Sequence, residues 1–89
     1  MTLKLVYVPD AEFDLEAIYD VIAQDSPAAA LRFVEDVRRR CEVFADFPRM
    51  GRLLENGLYE FTFDRRVRVF YAVSEDEIQI SQFRYLGQQ

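Results

Sequence analysis

Chemistry in this chain has to be built from sixteen Asp and Glu, eleven Lys and Arg, and one cysteine, because there is no histidine. That inventory removes the Ser-His and Cys-His nucleophile systems and every imidazole metal ligand. Cys41 alone builds neither a zinc site nor an internal disulfide. The three glycines stand at 51, 57 and 87, too scattered for a phosphate-cradling loop. Glu12, Glu16 and Asp20 recur four residues apart, a spacing that could bring carboxylates together for a metal or for acid–base work. The simpler reading is a solvated helix face, which such charge runs ordinarily form. Glu75-Asp76-Glu77 reads as a polar turn, and Cys41 as a small packed hydrophobe. No catalytic residue, metal ligand or cofactor is expected.

The arginines are more informative. Arg49, Arg52, Arg65, Arg66, Arg68 and Arg84 are interleaved with Tyr59, Phe61, Phe70 and Tyr71. Arginine among aromatics is the composition of protein interfaces and of single-stranded RNA grooves. Alternatively, these arginines solvate a sheet face and pair with Asp64 and Glu60. The net charge of −5 and pI of about 4.6 weigh against a nucleic-acid grip, since phosphate affinity comes from cations displacing counterions.

These side chains need elements to position them. Leu3 to Val8 reads as a strand with Leu3, Leu5 and Tyr7 on one face. Pro9 opens a helix, with Asp10, Glu12 and Asp14 at its positive end. Ala11, Leu15, Ile18 and Ile22 mark its inner face. Phe13 and Tyr19 lie off that face. Ser26 caps a second helix with Pro27 in its first turn. Its inner face is read as Leu31, Val34, Val37, Cys41 and Phe44, and Arg38, Arg39 and Arg40 suit its C-terminal half. The spacing predicts helices over 10–24 and 27–46, joined as an antiparallel hairpin. Pro48 begins an irregular stretch that runs to Asn56-Gly57.

Three strands follow, with Tyr59, Phe61 and Phe63 alternating in the first and Val67, Val69, Tyr71 and Val73 in the second. Ile78 and Ile80 share a face of the third. Asp64-Arg65 and Ser74-Glu75-Asp76 have hairpin length. The expected fold class is α+β, in the order β-α-α-β-β-β, with the helical hairpin packed on a mostly antiparallel four-stranded sheet.

A chain of 89 residues, 51% hydrophobic and 15% aromatic, is expected to form one domain, residues 1–89. No segment approaches the roughly 18 apolar residues of a membrane span. Met1 to Pro9 lacks the pattern of a signal peptide. With the single cysteine, this leads to a cytoplasmic expectation.

The segments, taken in order, resemble a known family. Val8-Pro9-Asp10-Ala11-Glu12-Phe13-Asp14-Leu15-Glu16-Ala17-Ile18-Tyr19 is similar to the opening of ParE-type toxins. Asp25-Ser26-Pro27-Ala28-Ala29-Ala30 with Phe33 resembles their second-helix start. Phe47-Pro48-Arg49-Met50-Gly51-Arg52 resembles their Pro-x-x-Gly-Arg corner. Arg66-Val67-Arg68-Val69-Phe70-Tyr71-Ala72-Val73 resembles their Arg-apolar-apolar-Tyr strand, followed by an acidic turn and Ile78-x-Ile80.

The resemblance is to the ParE/RelE toxins of bacterial type II toxin–antitoxin pairs, closer to ParE, and it spans nearly the whole chain. It implies a cognate antitoxin as partner in a hetero-oligomer, and DNA gyrase as the target of the free toxin. The alternatives it leaves open are a RelE-like, ribosome-dependent messenger RNA endoribonuclease, and a degenerate toxin that only binds its antitoxin. The ribonuclease's late basic residue would fall near Gln88-Gln89, and Arg84-Tyr85-Leu86-Gly87-Gln88-Gln89 carries one charge where the family has a basic tail. The expected antitoxin-binding residues are Phe13, Glu16, Tyr19 and Asp20. The expected target-binding residues are Arg49, Arg68, Tyr71, Arg84 and Tyr85. Direct nucleic-acid binding and membrane association are not expected.

Overall fold

The computed structural model describes residues 2–87. Strand β1 (Lys4–Tyr7) leads into α1 (Pro9–Ala23), then α2 (Pro27–Cys41) and the single turn α3 (Val43–Asp46). The chain continues through β2 (Arg52–Leu53), β3 (Tyr59–Phe63), β4 (Val67–Val73) and β5 (Glu77–Tyr85). The strands form one sheet in the order β1-β5-β4-β3-β2. Among the described residues, β1 alone pairs parallel, against β5. The order and class match the α+β expectation, but the sheet has five strands where four were expected. The extra strand lies in the stretch read as irregular. Two residues are too few for an alternation pattern, and Arg52 and Leu53 pair with Glu60 and Tyr59.

Helix α1 follows its pattern: Ala11, Leu15, Ile18 and Ile22 are all buried. Pro9 occupies its first turn, where a missing N–H leaves no hydrogen bond unmade. The Ser26 hydroxyl accepts from the Ala29 N–H at 3.1 Å, capping α2. Two expectations for the second helix are corrected. It ends at Cys41, and residues 43–46 form a separate turn. Its inner face is Ala30, Val37 and Cys41, continued by Phe44, whereas Leu31 is 51% exposed. Ala30 lets the helices approach closely, and Leu31, about 100° further round, is turned outward.

The helices cover one sheet face. Val67, Val69 and Tyr71 of β4 and Ile78 and Ile80 of β5 are buried beneath them. Tyr71 stacks on Phe44 with ring centroids 4.2 Å apart, a pairing that adds about 0.5–1.5 kcal/mol to simple area burial. The register of β5 slips by one residue opposite Phe70 and Tyr71. This bulge changes the parity, so Phe83 rather than Gln82 turns inward. The N–H of Phe83 is satisfied from the helix layer, by the Asp14 carboxylate at 2.9 Å. Asp64 and Arg65 both take positive φ (52° and 59°) in the turn between β3 and β4, closed by the Arg66 N–H donating to the Phe63 carbonyl.

Candidate functional site

The α1–α2 hairpin carries a surface groove of about 360 Å³, bordered by Glu12, Phe13, Glu16, Tyr19, Val34 and Arg38. Phe13 lies about 170° round the helix from the mean of its buried stripe and is 67% exposed. Tyr19 is half-buried and packs against the core. Glu12 and Arg38 join the two helices by an ion pair at 2.5 Å. Arg38 also lies over the Tyr7 ring, 4.9 Å from its centroid. The hydrogen bond to Glu12 holds its guanidinium more firmly protonated than usual. Three of the four expected antitoxin-binding residues border the groove; Asp20 is exposed one turn beyond Glu16. Arg38 and Val34 were not singled out for this surface. A partner 26 positions away along the chain leaves no local sequence signal.

The expected target-binding residues do not form one cluster. Arg68 and Arg84 are register partners on β4 and β5, on the sheet face that carries no helix. Tyr71 lies on the opposite face and is fully buried. Its hydroxyl donates to the Pro48 carbonyl at 2.9 Å and accepts from the Gly51 N–H at 3.0 Å. The expectation that Tyr71 contacts a target is therefore corrected: an aromatic in an alternating strand stands on the core side as readily as on the surface side. Tyr85 shares the helix-facing side, half-buried with its ring edge-on to Phe33 at 5.8 Å. Arg49 stands apart, in an apolar groove of about 610 Å³ beside Phe47 and Met50. Gln88-Gln89, where a late basic residue was sought, lie outside the described residues.

The alternative pairing read for the arginines holds in part. Arg52 pairs with Glu60, but Asp64 is held by Arg40 at 2.7 Å, not by an arginine of the sheet. Cys41 is buried beside Tyr7, and burial pushes its thiol up to about 12. Burial raises the Tyr7 hydroxyl too, and it has no hydrogen-bond partner among the described residues. A protonated, enclosed thiol has no nucleophilic role at neutral pH.

Comparison with known proteins decides the family. Residues 5–87 match the family described as ParE toxin of type II toxin-antitoxin system, parDE. The chain belongs to this ParE toxin family. A solved structure described as "Chromosomal ParDE TA system from P. aeruginosa" superposes with a TM-score of 0.83 at 26% identity, covering 97% of this chain and 98% of that one. No match is found among curated proteins.

The ParE-like Pro-x-x-Gly-Arg corner now has a physical reading. A Cβ on residue 51 would lie 2.8 Å from both the Tyr71 hydroxyl and the Glu60 carbonyl oxygen. Glycine lets the corner sit on the tyrosine, and Arg52 then reaches Glu60. Gly51 and the Arg52–Glu60 pair thus have a structural role at this corner, while Arg49, Met50 and Arg52 stay exposed.

Proposed function

We propose that this ParE-type toxin is held inactive by an antitoxin seated in the α1–α2 groove, and that the free chain arrests growth by binding DNA gyrase rather than by cutting RNA. The observation that carries the reading is Phe13, an aromatic 67% exposed at a groove bordered by Glu12 and Glu16, with Asp20 one turn beyond. An exposed aromatic anchor in an acidic rim suits a basic amphipathic segment, with the acids guiding approach. The antitoxin segment is accordingly net basic. A ParDE system is the printed description of the similar solved structure, and it supports an antitoxin partner for this chain.

RNA cleavage calls for a tuned acid and base beside the phosphodiester. Arg68 and Arg84 offer charge to stabilise a phosphate, but among the described residues neither a free carboxylate nor an imidazole stands beside them to act as acid or base. Inhibition by protein binding therefore fits this surface better.

Induced expression with pulse labelling tests the target. DNA synthesis falls first if gyrase is bound, whereas an earlier fall in translation contradicts the proposal. The docking surface is tested separately by Phe13→Ala and Glu16→Lys. If both leave antitoxin affinity within about threefold, roughly 0.7 kcal/mol, the antitoxin sits elsewhere.

A further inference from the structure

Arg68 and Arg84 stand directly opposite each other on neighbouring strands of the uncovered sheet face. Like charges at such positions repel. Arg38, Arg39, Arg40 and Arg52 all have carboxylate partners, but no ion pair reaches Arg68 or Arg84 among the described residues. Glu60, the nearest acid by register, is engaged by Arg52. Nε of Arg68 donates to the Thr62 hydroxyl at 3.3 Å, which helps to fix its plane. Half-buried Phe70, with Gln82 as its register partner, lies next to the pair on the same face.

We propose that this arginine pair, flanked by Phe70, is a docking site for the carboxylates of an extended acidic segment in the toxin's protein target. The proposal rests on the preceding reading that the target is a protein, and it names the chemistry recognised. Guanidinium groups bind carboxylates through two parallel hydrogen bonds. On an extended segment, two acids separated by one residue project to the same side about 7 Å apart. That spacing serves two arginines on adjacent strands, whose Cβ atoms lie about 5 Å apart before their long side chains diverge. Phe70 offers an apolar contact beside them. A nucleic acid is the poorer occupant, because polyanion affinity grows with the number of phosphates neutralised, and this pair is set in a chain of net charge −5.

The test uses the full chain, isotopically labelled, and a short peptide built on Glu-Phe-Glu. Its Gln-Phe-Gln counterpart and oligouridylate serve as comparisons. The Glu peptide is expected to shift the Nε–Hε signals of both arginines and to bind at least tenfold more tightly than the Gln peptide. Arg84→Gln, at an exposed position, is expected to weaken binding by about tenfold, the effect of one charge-assisted pair, while Arg84→Lys loses less. Circular dichroism checks that each variant is folded. Equal binding of the Glu and Gln peptides, or binding untouched by Arg84→Gln and Arg68→Gln, overturns the proposal. Oligouridylate binding more tightly at the same two arginines overturns it as well. A toxin that ignores purified gyrase yet binds the Glu peptide through Arg68 and Arg84 supports this site and sinks the gyrase reading alone.

Discussion

Gly51→Ala is a small change with a large expected effect. The added methyl would lie 2.8 Å from the Tyr71 hydroxyl and 2.8 Å from the Glu60 carbonyl oxygen. Neither gives way easily. Glu60 is backbone inside β3, paired on both sides. Tyr71 is enclosed between Phe44, at 4.2 Å, and Tyr59, at 5.4 Å. Overpacking of this kind costs about 1–3 kcal/mol. Losing one of the two hydrogen bonds at the Tyr71 hydroxyl adds about 0.5–1.5 kcal/mol.

The sum, about 1.5–4.5 kcal/mol, is a large share of the roughly 4–13 kcal/mol expected for a chain of this length. Tyr71→Phe removes the hydroxyl and leaves the Gly51 N–H and Pro48 carbonyl unpaired, at about 1–3 kcal/mol. The two changes must couple, because the atom removed by one is an atom struck by the other. Urea unfolding followed by far-ultraviolet circular dichroism gives all four corners of the cycle. The double variant should be more stable than additivity predicts by about 1 kcal/mol. Additivity within about 0.3 kcal/mol, or a Gly51→Ala effect below about 0.5 kcal/mol, refutes the reasoning.

Asp14→Ala strips the acceptor from the Phe83 N–H at the β5 bulge, and should lower stability by about 1–3 kcal/mol in the same urea assay. Arg65→Gly relieves a left-handed backbone (φ 59°) and creates the preferred Asp-Gly turn, so it should raise stability by about 0.5–1 kcal/mol. Burial raises Cys41 from 9.0 to about 12 and raises Tyr7 and Tyr71 as well. The unfolded chain therefore releases protons that the folded chain keeps. The stability tied to these groups is complete below about pH 9 and declines as pH rises towards 12. Urea midpoints measured across that range should fall steadily, and Cys41→Ala should make the fall shallower. At neutral pH a thiol reagent should label Cys41 only after urea is added.

Local signals carried much of the architecture. Ser26-Pro27 announced its helix start through cap chemistry that depends on three neighbouring residues alone. The α1 stripe and the β4 alternation are periodic, and both were buried as their periods required, except that Val73 at the end of β4 is only partly covered. What could not be seen depends on contacts distant in sequence. The β5 bulge reverses the side on which Phe83 lies, and its N–H is answered by Asp14, 69 positions earlier. Leu31 and Ala30 are adjacent, and choosing between them as the inner residue requires knowing how closely α1 approaches. Tyr71 was expected among the target-binding residues, but its role became visible only with the 48–51 corner folded over it. At the hairpin groove, Phe13 could be recognised as off-stripe, whereas the Arg38–Glu12 pair across the helices could not.

The central claim is tested most directly by supercoiling of relaxed plasmid by purified gyrase in the presence of this chain, with and without its antitoxin. The expected result is inhibition that rises with toxin concentration, is reversed by antitoxin, and is no longer reversed when Phe13→Ala toxin replaces the wild type. Full supercoiling at saturating, folded toxin would contradict the account.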